Sequence, residues 1–433
     1  MSVSQQYGPV GEEHFSTVRD EIAGVSVREL AERFGTPTFF YDAAKILQRV
    51  GDLKAFDHIR YAQKACSNIA ILDLLRRNGV LVDAVSAGEI RRAMAAGYVP
   101  EGDPPPIVYT ADIFDRDALD LVIEKNIHVN CGSPDMIDQL GVRAAGRNIT
   151  LRVNPGFGHG HSQKTNTGGE QSKHGIWHEQ LEDCLRMADD NGLNVSGLHL
   201  HIGSGTDLEH LSQVCGAMKK LAIDVGRSIT AISAGGGLPT PYKAGDSYVD
   251  LEVYFDLWNA TRKRLEEAFE HPVSLEIEPG RYLVAESGYL VTEIRAVKRM
   301  GNNTFYLVDA GFNNLARPIL YGAHHPMSLT LVRGTVEHRP TVDVVVGGPL
   351  CESGDIFTQQ EGGYVCTRPL PAAEVGDLLI IEMAGAYGFV MGSNYNTKPL
   401  AAEVLIASGR AEVIRARQTF DDIIRGERIP AQH

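Results

Sequence analysis

Short apolar runs alternate with helical patterns along the first two thirds of the chain. Eight of these runs have the length and composition of strands, and each of the first seven is followed by a helical pattern or by a loop that leads to one. Eight such repeats predict a (β/α)8 barrel of the TIM type, and a doubly wound open sheet is the alternative. The predicted strands are Ile59–Ala62, Leu81–Val85, Pro106–Tyr109, His128–Cys131, Ile149–Asn154, Val195–His201, Ala231–Ala234 and Ser274–Ile277.

Residues that cap helices follow several of the strands. Ser86–Glu89 and Thr206–Glu209 have the spacing of capping boxes. Ser133 precedes a proline in the position that favours the first turn of a helix. Ser67 is predicted to cap the helix that follows the first strand.

The pattern changes after Pro279. The strand-like runs there are short, rich in β-branched residues and separated by Gly, Asn or Pro, which predicts an all-β domain, a β-barrel or sandwich. The Phe39–Tyr41 run near the N-terminus is predicted to pair with it. The predicted domains are an N-terminal segment (1–36) that contributes to the β-domain, a barrel (37–282) and a C-terminal β-domain (283–433).

The composition argues against several classes of protein. The formal net charge of −14 argues against a nucleic-acid or membrane partner. The chain lacks a run of 18 apolar residues, and its first 15 residues lack the pattern of a secretion signal. Its 6 cysteines show no CxxC spacing, so we expect reduced thiols in a cytoplasmic protein and no metal site.

Polar residues and glycines cluster where the predicted strands end. In a barrel of this kind the active site lies at the carboxyl ends of the strands. The sequence therefore predicts a functional site at that rim, formed by Lys64, Asp83, Ser86, Asn154, His199, His201, Ser204, Gly235, Gly236, Gly237, Glu276, Glu278 and Arg281.

Lys64 lies at the junction between the first predicted strand and its helix. A lysine confined there is expected to be partly desolvated, which disfavours the ammonium and leaves the amine available as a nucleophile. The alternative is a lysine whose aliphatic part covers apolar surface while its charge stays in water.

The glycines 235–237 are predicted to leave backbone N–H groups open to an anion, although such a run can also be a simple tight turn. Ser204 adds a hydroxyl and Arg281 a planar cation, and together these groups suit a phosphate. A nucleophilic lysine, Lys64, near a phosphate site predicts pyridoxal 5′-phosphate bound as a Schiff base.

Two further residues have the chemistry that this cofactor needs. Glu278 is placed to pair with a protonated pyridine nitrogen, and His201 is placed to lie flat against the ring. His199 shares a strand face with His201, so one of the two histidines could instead be a hydrogen-bonded residue of the barrel interior.

Long ordered motifs from about Phe34 to Arg425 resemble those of diaminopimelate decarboxylases, fold-type III enzymes of the alanine-racemase-like group. One segment departs from many relatives: Lys398 stands where an arginine is common. The motifs are YAQKACSN, DAVSAGEI, RVNPGFGHGHSQKTNTGGEQSKHGI, GLHLHIGSG, SAGGGL, EIEPGR, VDAGFNNLARPILYGAHH, GPLCESGD and GAYGFVMGSNYNTKP.

The resemblance implies a role for individual residues. Lys64 would carry the cofactor, His201 would stack on its ring, Glu278 would pair with its nitrogen and Cys351 would protonate the product carbon. The residues implied around the phosphate are Ser204, Gly235, Gly236, Gly237, Gly280, Arg281 and Tyr387. The residues implied to contact the substrate are Arg281, Arg317, Tyr321, Glu352 and Tyr387.

The resemblance also implies the reaction and the assembly. The reaction would be the decarboxylation of meso-2,6-diaminopimelate to L-lysine and CO2, the last step of lysine biosynthesis. Arg317 offers a bidentate fork for the distal carboxylate, and Glu352 can pair with the distal ammonium. The enzyme would be a head-to-tail homodimer in which Cys351 and Glu352 come from the second subunit.

The stretch Gly156–Gly175 is rich in Gly and His and shows no periodicity, which predicts a lid at the barrel mouth. Its residues His159, His161 and His174 could be read as metal ligands, but no carboxylate or cysteine shares their spacing, so we expect no metal.

Three other functions fit part of the sequence. A decarboxylase of another basic amino acid, such as D-ornithine, D-lysine or arginine, would have no use for the fork of Arg317. An amino-acid racemase of the same group would carry an arginine at the ring nitrogen, where this chain has Glu278. A non-catalytic cofactor-binding protein would not need both Lys64 and Cys351.

Overall fold

The computed structural model describes residues 8–157, 168–201, 208–225, 229–333 and 339–431. The chain divides into two compact units. The first contains the chain up to Pro9, Leu47–Thr240 and Ser247–Leu283. The second contains Val10–Ile46, Pro241–Asp246 and Val284–His433. The first division therefore falls at 46/47, later than the predicted 36/37, because Thr38–Asp42 pairs within the sheet of the second unit.

The first unit is a closed barrel of parallel strands, which confirms the predicted (β/α)8 class over the open sheet. The first and last barrel strands pair with each other, Ile59 opposite Ile277, so the sheet has no free edge at that point. Within the described residues the eight barrel strands are His58–Ala62, Leu81–Ala84, Ile107–Ala111, His128–Cys131, Asn148–Asn154, Asn194–Leu200, Ala231–Ser233 and Ser274–Ile277.

The helix caps that the structure describes lie where the sequence predicts them, with one exception. The Ser86 hydroxyl accepts the Glu89 N–H at 3.2 Å, and Ser133 is the N-cap residue before Pro134. The cap after the first barrel strand is Asn68 and not Ser67, because the Asn68 side chain accepts the Ala70 N–H. Thr206 lies outside the described residues.

One ion pair fills part of the barrel interior. Arg60 makes a bidentate pair with Glu276, with 2.7 Å at both contacts, and also donates to the carbonyl of Pro105. Pro105 precedes a barrel strand, so the pair lies toward the amino ends of the strands, away from the rim where active sites form. Glu276 is therefore a structural residue and not part of the predicted rim site.

The second unit is built on a mixed sheet, which confirms the predicted β-rich domain. The Thr38–Asp42 strand lies between Gly288–Met300, to which it is antiparallel, and Ala402–Ala407, to which it is parallel. In the described chain its nine strands are Thr38–Asp42, Gly288–Met300, Asn303–Val308, Met327–Thr330, Thr341–Gly347, Arg368–Pro371, Leu378–Ile381, Ala402–Ala407 and Arg410–Arg415.

The core of this unit joins both ends of the chain. Leu30 and Phe40 pack with Val291, Ile380 and Val404, and all five are almost fully buried. Burial of apolar side chains from distant segments stabilises the sheet, because it removes their surface from water.

The helices surround these sheets. One short strand, Ile176–Trp177, pairs in parallel with the barrel strand Asn148–Asn154. Four short strands of the described residues lie outside the two large sheets: Gly8–Pro9, Glu21–Ile22, Val25–Ser26 and Ser247–Tyr248. No described helix is both long and apolar enough to cross a membrane. The helices are Val27–Phe34, Ala43–Gly51, Ile69–Arg77, Ala87–Ala95, Arg116–Glu124, Pro134–Gly141, Leu181–Asp190, Leu208–Asp224, Leu251–Phe269, Arg281–Val284, Arg317–Tyr321 and Phe420–Ile423.

Candidate active site

Glu278 is a buried carboxylate just after the last barrel strand, and two donors hold it. His199 Nε2 lies 2.6 Å from one carboxylate oxygen, and the Ser233 hydroxyl donates to the other at 3.2 Å. Burial alone would raise the pKa of Glu278, but His199, with Arg152 and Arg60 nearby, outweighs it and holds the pKa below its usual value. Glu278 is therefore ionised near neutral pH.

His201 is fixed by a backbone contact. The Gly236 N–H donates to His201 Nδ1 at 2.9 Å, so Nδ1 is an acceptor and the ring carries its proton on Nε2. Desolvation, together with the positive charges of Arg152 and Lys64, lowers the pKa of His201 well below its usual value. Its imidazole is therefore neutral at physiological pH.

The first two glycines of the 235–237 run allow close approach of the backbone. A Cβ on Gly236 would lie 2.5 Å from the Glu278 carbonyl oxygen, and Gly235 has a positive φ of 64°. The Gly235 N–H donates to the Ser233 hydroxyl, and the Gly236 N–H donates to His201. Both N–H groups therefore have acceptors within the protein in this structure, and the role predicted for these glycines around a phosphate stays a prediction.

Lys64 lies in a short 3-10 turn, Gln63–Ala65, that follows the first barrel strand. The turn buries Gln63 and Ala65 and leaves Lys64 exposed, so the desolvation predicted for its side chain is not found. A Cβ on Gly280 would contact Ala65 at 3.3 Å, which places Gly280 beside this turn.

Asp83, at the end of the second barrel strand, is buried and close to Lys64 and Glu278. Its pKa is raised well above the usual value, because burial disfavours the charged form and Glu278 repels a second negative charge. The environment thus shifts the pKa values of the two neighbouring carboxyl groups in opposite directions, down for Glu278 and up for Asp83.

In the second unit, Arg317 is the first residue of the helix Arg317–Tyr321 and is only 8% exposed. Its NH1 lies 2.9 Å from His325 Nε2, and its guanidinium lies 4.7 Å from the centre of the Tyr242 ring. Tyr321, at the other end of the helix, is 37% exposed.

Cys351 and Glu352 lie on an exposed loop of the second unit. The Cys351 N–H donates to the Asn396 side chain at 2.7 Å, and Asp355 accepts the N–H groups of Leu350 and Phe312. These bonds fix the backbone of the loop while the two predicted functional side chains remain exposed.

Tyr387 has a positive φ of 56°, an uncommon conformation for a residue with a side chain. Met383 and Asn396 share it, with φ values of 57° and 52°. Such residues are enriched at functional sites. Arg281 begins the short helix Arg281–Val284 and is partly buried.

The stretch 156–175 is tied at both described ends to Asn154. The Asn154 side chain accepts the N–H groups of Gly156 and Gly169 and donates to the carbonyl of Gly169. His174, which could be read as a metal ligand, lies 2.5 Å from Asp112 instead. Ser204, His159 and His161 lie outside the described residues, so the roles predicted for them, and the lid, stay predictions.

Comparisons with known proteins decide the family. A family model described as "Pyridoxal-dependent decarboxylase, pyridoxal binding domain" matches residues 44–285. The diaminopimelate decarboxylase of Escherichia coli K12 is 55% identical over 95% of this chain and 98% of its own. That of Streptomyces coelicolor is 53% identical over 94% and 92%. The chain belongs to the diaminopimelate decarboxylase family.

Solved structures of this family share the whole fold. A crystal structure of a diaminopimelate decarboxylase, 55% identical, has a TM-score of 0.89 and covers 92% of this chain and 94% of its own. The enzyme from M. jannaschii in co-complex with L-lysine, 29% identical, has a TM-score of 0.85 and covers 96% and 97%.

The described residues of this family member fit pyridoxal phosphate. An ionised, buried Glu278 suits a cationic ring nitrogen, and a neutral His201 adds no positive charge beside it. The backbone at Gly235 and Gly236 is packed too closely against Leu200 and Glu278 for any Cβ, so only glycine fits at these two positions of the barrel mouth.

Sequence reasoning missed several supporting residues of this family member. His199 is the hydrogen-bonded histidine of the barrel interior that the sequence offered as an alternative, but its partner Glu278 was missed, because the sequence does not show how the two strands align. Asp355 lies in the quoted GPLCESGD motif, but its backbone contacts are not visible in a sequence. The pairing of His325 with Arg317 carried no signal beyond the closeness of the two residues in the chain.

Proposed function

We infer that the chain is a carboxy-lyase that converts meso-2,6-diaminopimelate to L-lysine and CO2, the last step of lysine biosynthesis. Its cofactor is pyridoxal 5′-phosphate. Membership of the family at 55% identity over 95% of the chain supports the reaction. The observation within the molecule that carries it is the ionised Glu278 held by His199, because a racemase of this group would place an arginine at the ring nitrogen.

When bound, pyridoxal phosphate supplies an electron sink for the electron pair that the departing carboxylate leaves behind. Lys64 is the amine that holds it. Glu278 would keep a proton on the ring nitrogen, and His201 would lie beside the ring. The groups proposed around the phosphate are Ser204, Gly235, Gly236, Gly237, Gly280, Arg281 and Tyr387.

Residues of the second unit are proposed to bind the distal end of the substrate. Arg317 is charged at every accessible pH and presents a planar fork that suits a carboxylate. Glu352 pairs with the distal ammonium, and Arg281, Tyr321 and Tyr387 complete the substrate contacts. Holding the distal end fixes the orientation of the scissile bond, which lowers the barrier to decarboxylation.

Cys351 is proposed as the acid that protonates the product carbon. Its exposure and that of Glu352 support a site completed by a second copy of the chain, since an exposed loop is accessible to a partner. The proposed assembly is a head-to-tail homodimer. The cysteines, all of which lie in the described residues, form no disulfide, as expected in a reducing compartment, which supports a cytoplasmic location.

An absorbance spectrum and a CO2 assay test the proposal together. The purified protein should be yellow and release CO2 from meso-diaminopimelate, and Lys64→Ala should lose both properties. Lys263→Ala is a matched control, because Lys263 is exposed on the helix Leu251–Phe269. A colourless native protein that takes up no added cofactor would refute the inference.

Substrate choice is tested by Arg317→Ala. D-lysine lacks the distal carboxylate of diaminopimelate, so the variant should lose most of the preference for diaminopimelate, by about tenfold or more if one charge-assisted contact is lost. An unchanged preference would refute the role of Arg317 and favour a decarboxylase of another basic amino acid.

A further inference from the structure

His325 is a buried histidine whose two ring nitrogens have different partners. Nδ1 lies 2.9 Å from the backbone carbonyl of Glu382, and Nε2 lies 2.9 Å from Arg317 NH1. The side chain is only 1% exposed, so water does not compete for these contacts.

The two partners fix the protonation of the ring. A carbonyl oxygen can only accept, so Nδ1 carries the proton and donates it to Glu382. A guanidinium can only donate, so Nε2 must present its lone pair to Arg317. His325 is therefore neutral in one defined tautomer, since an added proton on Nε2 would remove the acceptor and place two cations in contact.

The position of His325 is set by the sheet. It precedes the strand Met327–Thr330, which pairs with Leu378–Ile381, and the Glu382 N–H donates to the carbonyl of Pro326 just beyond that pairing. The register of two strands thus holds both His325 and its carbonyl partner.

A third residue, Tyr242, also supports Arg317. The Tyr242 ring lies 4.7 Å from the guanidinium carbon and meets the His325 ring edge-on, with 5.4 Å between ring centres. The aromatic face defines the plane of the fork, and the His325 contact defines its rotation within that plane.

We propose that His325 is a positioning residue for substrate recognition, which holds the Arg317 fork in the orientation that binds the distal carboxylate. This rests on the proposed role of Arg317. His325 acts through Arg317, so its loss weakens the binding of molecules that carry that carboxylate and leaves other binding unchanged.

Calorimetric binding to the holoenzyme tests this with two probes. L-lysine, the product, retains the distal carboxylate, and cadaverine, the corresponding diamine, has none. In His325→Phe, which keeps an aromatic ring but no hydrogen bonds, the Kd of L-lysine should rise by about tenfold, as for one lost hydrogen bond to a charged group. The Kd of cadaverine should change by less than about twofold.

His325→Gln is the rescue variant, because its amide can accept from Arg317 and donate to Glu382. It should restore most of the affinity for L-lysine. His324→Phe is the matched control: the neighbouring His324 contacts Arg368 instead, with 2.9 Å between Nδ1 and NH2, and its loss should change neither Kd. If His325→Phe does not fold, His325→Asn takes its place under the same criteria.

Arg317→Ala distinguishes failure of the positioning role of His325 from failure of the proposed role of Arg317 in substrate binding. If it weakens L-lysine binding but the His325 variants do not, the positioning role is overturned and the proposed function stands. If Arg317→Ala leaves L-lysine binding unchanged, the proposed role of Arg317 fails first. Equal losses for L-lysine and cadaverine in His325→Phe would show a general disturbance and would also overturn the proposal.

Discussion

His199 donates to Glu278 across 2.6 Å in the buried interior of the barrel, although the strand that carries His199 is not adjacent to the strand that Glu278 directly follows. Removal of the donor in His199→Phe should weaken binding of pyridoxal phosphate by about ten- to hundredfold, because a hydrogen bond to a charged group is worth about 1.5–3 kcal/mol. Titration of the apoprotein with the cofactor measures this.

The same variant should be more sensitive to acid. The lowered pKa of Glu278 gives stability that is present above the usual carboxyl range and lost as the pH falls through the folded value. Without His199 that pKa rises, so the midpoint of acid unfolding should move to higher pH. His58→Phe is the control, because His58 begins the first barrel strand, at the end of the barrel away from Glu278. An equal shift of the acid midpoint in both variants would contradict the role of His199 in lowering the pKa of Glu278.

Asp83→Asn should stabilise the protein at neutral pH. The raised pKa of Asp83 means that folding takes up a proton, which becomes more costly as the pH rises above the unfolded value near 4. Thermal unfolding should show a gain in stability at pH 7 that shrinks toward zero at pH 4.

The control for this change is Asp256→Asn, on the exposed side of the helix Leu251–Phe269. It should show no such pH dependence. A gain at pH 7 that persists unchanged at pH 4 would mean that proton uptake by Asp83 is not its cause.

Gly236→Ala should disturb the wall of the barrel mouth. The added Cβ would lie 2.5 Å from the Glu278 carbonyl oxygen, so the backbone that carries Glu278 must shift. We expect loss of bound cofactor, measured by absorbance after gel filtration.

Gly216→Ala is the matched control for Gly236→Ala. A Cβ on Gly216 meets no atom within 4 Å, and the residue lies within the helix Leu208–Asp224. That variant should retain the cofactor and gain about 0.5–1 kcal/mol of stability. Retention of cofactor by Gly236→Ala as well would show that the wall tolerates a shift.

Asn154→Ala should loosen the two ends of the stretch 156–175. The side chain holds Gly156 and Gly169 together through bonds of 3.0–3.1 Å. Proteolysis within the stretch should become faster by about tenfold, as expected for the loss of buried hydrogen bonds. Asn194→Ala, at the exposed start of the next barrel strand, should leave the rate unchanged; the same acceleration in both would point to a general loss of stability.

Periodicity was sufficient to predict the barrel, because parallel strands buried on both faces give continuous apolar runs. His128–Cys131 and Ser274–Ile277 have the bounds that were predicted, and the other strands differ by one or two residues. Met327–Thr330 and Arg368–Pro371 were not predicted, since both are short and the second contains two prolines.

The position of a site residue could be predicted from the sequence where it depends only on the end of its own strand. Glu278 could be placed because alternation puts it at the rim, but the state of its charge depends on His199, from a strand 79 residues earlier. Likewise, the carbonyl that fixes His325 belongs to Glu382, and only the sheet register brings the two together. Ser67 and Asn68 are both good caps, so only backbone geometry decides between them.

The central position of Thr38–Asp42 in its sheet has a consequence for synthesis on the ribosome. All eight barrel strands have been synthesised once the ribosome has passed Ile277. The parallel partner of Thr38–Asp42, Ala402–Ala407, is synthesised more than a hundred residues later. The segment can therefore pair with Gly288–Met300 once that strand has been made, but its position between two strands is completed only by Ala402–Ala407.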